Sequence, residues 1–292
     1  MSLPAALSLG LVNLRHLQAL AVAPVLSVAA CGEVLGWRHD PFAGALAMQP
    51  ITHLQVGGEF CDRLLPTPHL LAETLAFAAA RQLEVSLATP LLSDQGMSAL
   101  RPLLALLPAG TEIVAGDWGM LRLLGRDFPA LTPVAGRLMC KMVKDPRLPS
   151  AEWARLYPHG IHGAAFTAML ARFGVRRIEM DAPPFAAATD FRSAAMAVGV
   201  HAPFGVSAKG RSCRIGSLHR PDSEKFTTGH RCARECLVYE AALVRPQEET
   251  DLPTRLRGTT IFHAHTPAVA AAVLQAVAAG AVDRIILSGD WH

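Results

Sequence analysis

The stretch "TPAVAAAVLQAVAAGAVDRIILS" (266–288) holds one complete structural unit. Thr266 and Pro267 supply an N-cap and a first-turn proline, and Gly280 supplies a stop. Between them the chain reads as a helix. "VDRIILS" (282–288) then reads as a strand. A helix that ends on glycine and leads at once into an apolar strand is half of a βαβ unit, and repetition of that unit implies parallel strands.

Outward from this unit the pattern repeats. Apolar strand-like runs fall at 7–12, 51–57, 83–89, 111–116, 131–136, 175–181, 201–208 and 258–264, with 282–288 as the last. Helical patterns fall at 68–82, 93–107, 162–174 and 266–280. About eight repeats predict an α/β fold of the (β/α) TIM-barrel type. Residues 1–292 are expected to form one barrel-like domain. A doubly wound open sheet is the runner-up. No Gly-x-Gly-x-x-Gly follows the early strands and no Walker A loop occurs, which counts against dinucleotide and nucleoside triphosphate binding.

Composition agrees with a large buried core. Apolar residues make up 51% of the chain and charged residues 17%. A net charge of +3 is too small to argue for nucleic acid. No apolar run of membrane-spanning length lacks a proline or polar interruption. "LQALAVAPVLSVAAC" (17–31) ends like a lipoprotein cleavage box, but Lys and Arg are missing from the first 14 residues, so it lacks the positive start of an export signal. A core segment is the simpler reading. The expected compartment is then the reducing cytoplasm, where six cysteines suggest metal or redox chemistry over disulfides.

Residues 207–257 break the alternation. They are rich in charge, glycine and proline and carry three cysteines, Cys213, Cys232 and Cys236. A long loop without core in a compact domain needs a reason, and ligation of a metal supplies one. The spacing matches neither the paired knuckles of zinc ribbons nor the ferredoxin run. Cys61, directly after the second strand, is the best fourth ligand, because βα loops converge at the C-terminal face of a barrel. Zinc and iron–sulfur stay open on spacing alone. Arg211, Arg214, Arg231 and Arg234 flank these thiols and would offset thiolate charge. Cys31 and Cys140 read as ordinary core. Asp117, Glu179 and Asp181 lie at strand ends, where either proton handling or plain capping fits. His263 and His265 alternate, so they share one face of a strand.

Five stretches carry a resemblance: "VGGEFC" (56–61), "IVAGDWGMLRLL" (113–124), "PVAGRLMC" (133–140), "VSAKGRSC" (206–213) and "CARECLVYE" (232–240). In this order they resemble the collagenase-like peptidase family, in particular its UbiU/UbiV branch. The resemblance spans about residues 50 to 292. It implies a 4Fe-4S cluster held by Cys61, Cys213, Cys232 and Cys236. It also implies a UbiU-like homologous partner in a heterodimer and oxygen-independent hydroxylation of a quinone precursor in ubiquinone biosynthesis. No catalytic residue is assigned by it.

Two departures stand out. The interval from Cys213 to Cys232 exceeds the branch's Cys-x12-Cys by six residues, an insertion that loop entropy tolerates. In "AVGVHAPFG" (197–205), Ala197 stands where many relatives have an acidic residue, which counts against peptidase chemistry. Two other readings follow from the family: a cluster-bearing scaffold or electron-transfer subunit, and an RNA-hydroxylation protein.

Overall fold

The computed structural model describes residues 5–37, 41–156, 160–193, 195–225, 227, 231–243 and 252–290. Eight parallel strands close into a barrel: β1 (Ala6–Leu11), β2 (His53–Val56), β3 (Glu84–Ala88), β4 (Glu112–Ala115), β5 (Thr132–Ala135), β6 (Arg177–Asp181), β7 (Ala197–Ala202) and β12 (Arg284–Ser288). β12 lies between β1 and β7 and closes the ring, with Leu9 beside Leu287 and Val200 beside Ile285. Such strands are covered on both faces, so they are near-continuous apolar runs.

Helices α1 (His16–Leu20), α2 (Val28–Leu35), α3 (Ala43–Leu46), α4 (Pro68–Ala80), α5 (Asp94–Ala105), α6 (Trp118–Asp127), α7 (Ala151–Arg155), α8 (Ala164–Arg172) and α9 (Pro267–Ala278) surround it. Their starts follow the sequence logic. Thr67, Ser93 and Thr266 each accept a backbone N–H from three residues on, at 3.2, 3.1 and 3.2 Å. Pro102 lies inside α5 without ending it. Leu54, Leu87, Ile113, Val134 and Ile285 are fully buried. Burying a side chain of this kind is worth about 1.5–3 kcal/mol. Among the described residues no helix is long and apolar enough to cross a membrane.

The barrel differs from the expected strand set in one place. The predicted strand 201–208 divides at Pro203, which has no N–H to donate to a ladder. Residues before it form β7, and residues after it form β8 (Phe204–Lys209) in a second sheet. That sheet is antiparallel, in the order β8, β11 (Thr260–Ala264), β10 (Thr254–Arg257), β9 (Ala241–Ala242). The predicted strand at 258–264 therefore belongs to this sheet and not to the barrel. The stretch 207–257 is accordingly not a structureless loop, since it contains β9, β10 and two 3-10 turns, Ile215–Ser217 and Glu235–Leu237.

Candidate functional site

Cys61, Cys213, Cys232 and Cys236 line one cavity of about 1170 Å³ over the C-terminal ends of the barrel strands. Each reaches it by a separate local device. Cys61 follows β2 through Gly57 and Gly58. Gly57 has φ +93°, and a Cβ there would lie 2.7 Å from the Ala88 carbonyl oxygen, so only glycine fits. Cys213 follows β8, and its Sγ accepts the Gly216 N–H at 3.2 Å. Cys232 Sγ accepts the Arg234 N–H at 3.2 Å. Arg234 itself has φ +61°, a left-handed conformation in the turn that aims both Cys232 and Cys236. Cys236 rests on the β10–β11 turn, where Gly258 (φ +60°) leaves room: a Cβ there would stand 3.6 Å from Cys236 Sγ.

The second sheet is tied to the Cys61 loop. The Thr259 hydroxyl donates to the Phe60 carbonyl at 3.2 Å. The Gly210 N–H donates to the Thr259 carbonyl at 2.8 Å. Arg257 Nε donates to the Cys236 carbonyl at 2.6 Å. Thiols from sequence positions 61 and 213 therefore meet across this seam. Burial pushes the Cys61 and Cys213 thiols up, and neighbouring cysteines push in the same direction. Burial pushes Cys236 up to about 12, with Cys213, Cys61 and Cys232 adding to it. The four sulfurs are thus close enough to act on one another, yet no disulfide joins them. Among the described residues no three of them lie within 4.8 Å of one another. Lys209 and Arg211 line the same cavity. Cys31 and Cys140 are buried apart, each pushed up to about 12 by burial, as the sequence reading expects of core thiols.

The inner end of the cavity is a charged array that the sequence reading largely missed. Arg137, after β5, is buried and forks between two carboxylates. It donates to Glu59 Oε2 at 2.7 Å and to Asp181 Oδ1 at 3.1 Å. Lys144 makes a second contact to Asp181. Burial opposes the charge on Asp181, but Lys144 and Arg137 outweigh it and hold the carboxyl well below the usual range. The Arg137 guanidinium lies 5.1 Å from the centre of the Phe60 ring, which meets Phe262 edge-on at 5.2 Å. Glu179 on β6 accepts from His201 on β7 at 2.9 Å and from Gln55 on β2 at 3.1 Å. Burial works against its charge, but the His201 hydrogen bond leads the effects that bring its carboxyl below normal.

The acidic candidates divide. Glu179 and Asp181 enter this array, whereas Asp117 caps α6 by accepting the Met120 N–H at 2.8 Å. His263 and His265 are both buried, with ring centres 6.1 Å apart. Burial lowers them to about 4 and about 3. Ala197 begins β7 beside Arg177 at the base of the barrel, at the opposite end of the strand from the cavity. Glu59, Arg137 and His201 carried no sequence signal beyond their place just after or at the end of strands, which is where barrel sites form.

Fold and site define a (β/α) barrel whose mouth carries four thiols at one end and a buried carboxylate–cation array at the other. No family model and no curated protein matches the chain.

Proposed function

We propose that this chain holds a 4Fe-4S cluster on Cys61, Cys213, Cys232 and Cys236, in a cysteine-rich insertion at the C-terminal face. It acts with a UbiU-like partner in oxygen-independent hydroxylation of a quinone precursor. The observation that carries the reading is the meeting of these four thiols in one cavity. The fit to the group is chemical. Four cysteine thiolates are the usual ligand set of a cubane. A mononuclear zinc site would bring its sulfurs to about 3.8 Å of one another, given Zn–S bonds of about 2.3 Å. The wider spacing here suits a larger group.

When bound, the cluster supplies one-electron transfer. The chain's own residues do the rest. Backbone N–H groups of Gly216 and Arg234 donate to Cys213 Sγ and Cys232 Sγ, and the Gly216 contact favours the Cys213 thiolate. Lys209 and Arg211 offset the remaining negative charge from the cavity wall. The Phe60 and Phe262 rings stand beside Arg137 and keep water from its ion pairs with Glu59 and Asp181. A substrate enters the cavity between the two ends.

Anaerobic purification tests the cofactor. The expected product is brown, with about four irons per chain, and Cys213→Ala loses them. A colourless, zinc-loaded protein overturns the cluster. The pathway is tested by quinone profiling of a deletion strain grown without oxygen, where loss of ubiquinone is expected. Unchanged quinones with intact cluster loading would favour the electron-transfer scaffold.

A further inference from the structure

We infer that Glu59, Glu179 and His201 form a second, separate site, which binds one divalent first-row transition ion of the Mn2+ or Fe2+ kind. This holds whether or not the thiols carry a cluster.

The three side chains come from the loop after β2, from β6 and from β7, and each offers one ligand atom within 4.8 Å of the others. His201 Nε2 lies 2.9 Å from Glu179 Oε2 and 3.9 Å from Glu59 Oε1. All three are buried, at 9%, 0% and 2% exposure for Glu59, Glu179 and His201. A buried carboxylate normally satisfies both oxygens. Glu179 does not: its Oε1 is buried without a hydrogen-bond partner, and so is Oε1 of Gln55, whose amide holds the other Glu179 oxygen. Two fully buried acceptors without donors at one spot point to a missing cation.

Charge leads to the same place. Arg137 and Lys144 offset Glu59 and Asp181. Arg284, the next cation acting on Glu179, is engaged with Glu112. Among the described residues no Lys or Arg makes an ion pair with Glu179, whose charged partner is His201 alone, and a buried carboxylate with so little pairing is costly. A bound ion would bridge His201 Nε2 and Glu179 in place of their 2.9 Å contact. The donor set selects the class. Two carboxylate oxygens and one imidazole nitrogen suit Mn2+, Fe2+ or Zn2+, whereas Ca2+ prefers an all-oxygen shell and Cu+ prefers sulfur. Three protein ligands leave coordination positions open. Glu59 and His201 face the cavity that also holds the thiols, so those positions point at whatever the cavity admits.

The probe is Mn2+, because thiolates bind this hard ion weakly and the paramagnetic signal reports it directly. Full-length protein, purified without oxygen, is titrated with Mn2+ and followed by electron paramagnetic resonance. The expected result is one bound ion per chain with nitrogen hyperfine coupling. Glu179→Gln should weaken binding at least about ten-fold, the equivalent of 1.4 kcal/mol. His201→Gln should abolish the nitrogen coupling. Cys213→Ala should bind Mn2+ as the parent does, even when iron is lost. Glu59→Gln, on the cavity wall, gives the same test if a fully buried variant fails to fold. Absence of Mn2+ binding to the parent overturns the site, as does equal binding by Glu59→Gln and Glu179→Gln. Loss of Mn2+ in Cys213→Ala would assign the ion to the thiols and overturn it too.

Discussion

The two ends of the cavity solve the problem of buried charge in opposite ways. At the inner end, Glu59 and Asp181 meet cations of the same chain, and strands β2, β5 and β6 hold the pairs in place. At the outer end four thiols stand together, and burial drives three of them towards the neutral form. The inner end is complete except for Oε1 of Glu179 and Oε1 of Gln55. The outer end is packed by a small apolar cluster of Ile215, Cys236 and Leu256, so its order depends far more on what the thiols bind. Under the proposed cluster reading, the outer end would draw part of its stability from outside the chain.

Three experiments break or sharpen this contrast. The largest effect is expected for Arg137→Ala. It leaves Glu59 and Asp181 buried and underpaired, at a cost of about 3–5 kcal/mol. Urea unfolding of the iron-free protein should show it in full, while iron-free Cys213→Ala should unfold near the parent midpoint. Equal midpoints for Arg137→Ala and the parent would show that the inner end is not self-supporting.

Next is pH. His263 and His265 titrate at about 4 and about 3 when folded, against about 6.5 when unfolded. The unfolded chain therefore binds more protons, and stability is lost as pH falls below about 6.5. Between pH 6.5 and 5 each histidine should cost ~2 kcal/mol. Asp181, with its carboxyl held low, adds its own loss only in stronger acid, below about pH 4. His53, lowered to about 4 chiefly by burial, adds a third such loss, so urea midpoints at the two pH values measure all three and His265→Leu should remove about a third. A flat profile would mean that these rings are not held neutral.

The smallest effect is expected at Arg234. Glycine adopts its left-handed backbone without the penalty of about 1–2 kcal/mol that a side chain carries. Arg234→Gly should keep its iron and stabilise the iron-free protein by ~0.5–1 kcal/mol, measured by thermal unfolding. Loss of iron in this variant would instead assign the side chain a part in holding the cluster.

Most of the barrel was legible because its signals are local. Alternating apolar runs, Thr-Pro starts and glycine stops mark seven of the barrel strands and four of the helices without reference to neighbours. β7 was displaced because its hydrophobic run continues through Pro203 into β8, and only three-dimensional context divides it. Helix α6 escaped notice although Asp117 caps it, because its strand-end position invited a chemical reading first. The meeting of the four thiols in one cavity was legible because cysteines are rare and three of them fall within residues 213–236. The inner array was not. Glu59, Arg137 and His201 are ordinary residue types, separated along the chain, and only closure of the sheet gives them meaning.

That closure has a consequence for synthesis. β1 ends at Leu11, and its second neighbour, β12, begins at Arg284. On the ribosome the first strand waits with one edge bare until the chain has been made through Ser288. Cys61 waits in the same way for Cys213, Cys232 and Cys236. The meeting of the four thiols and ring closure are therefore late events of the same stage.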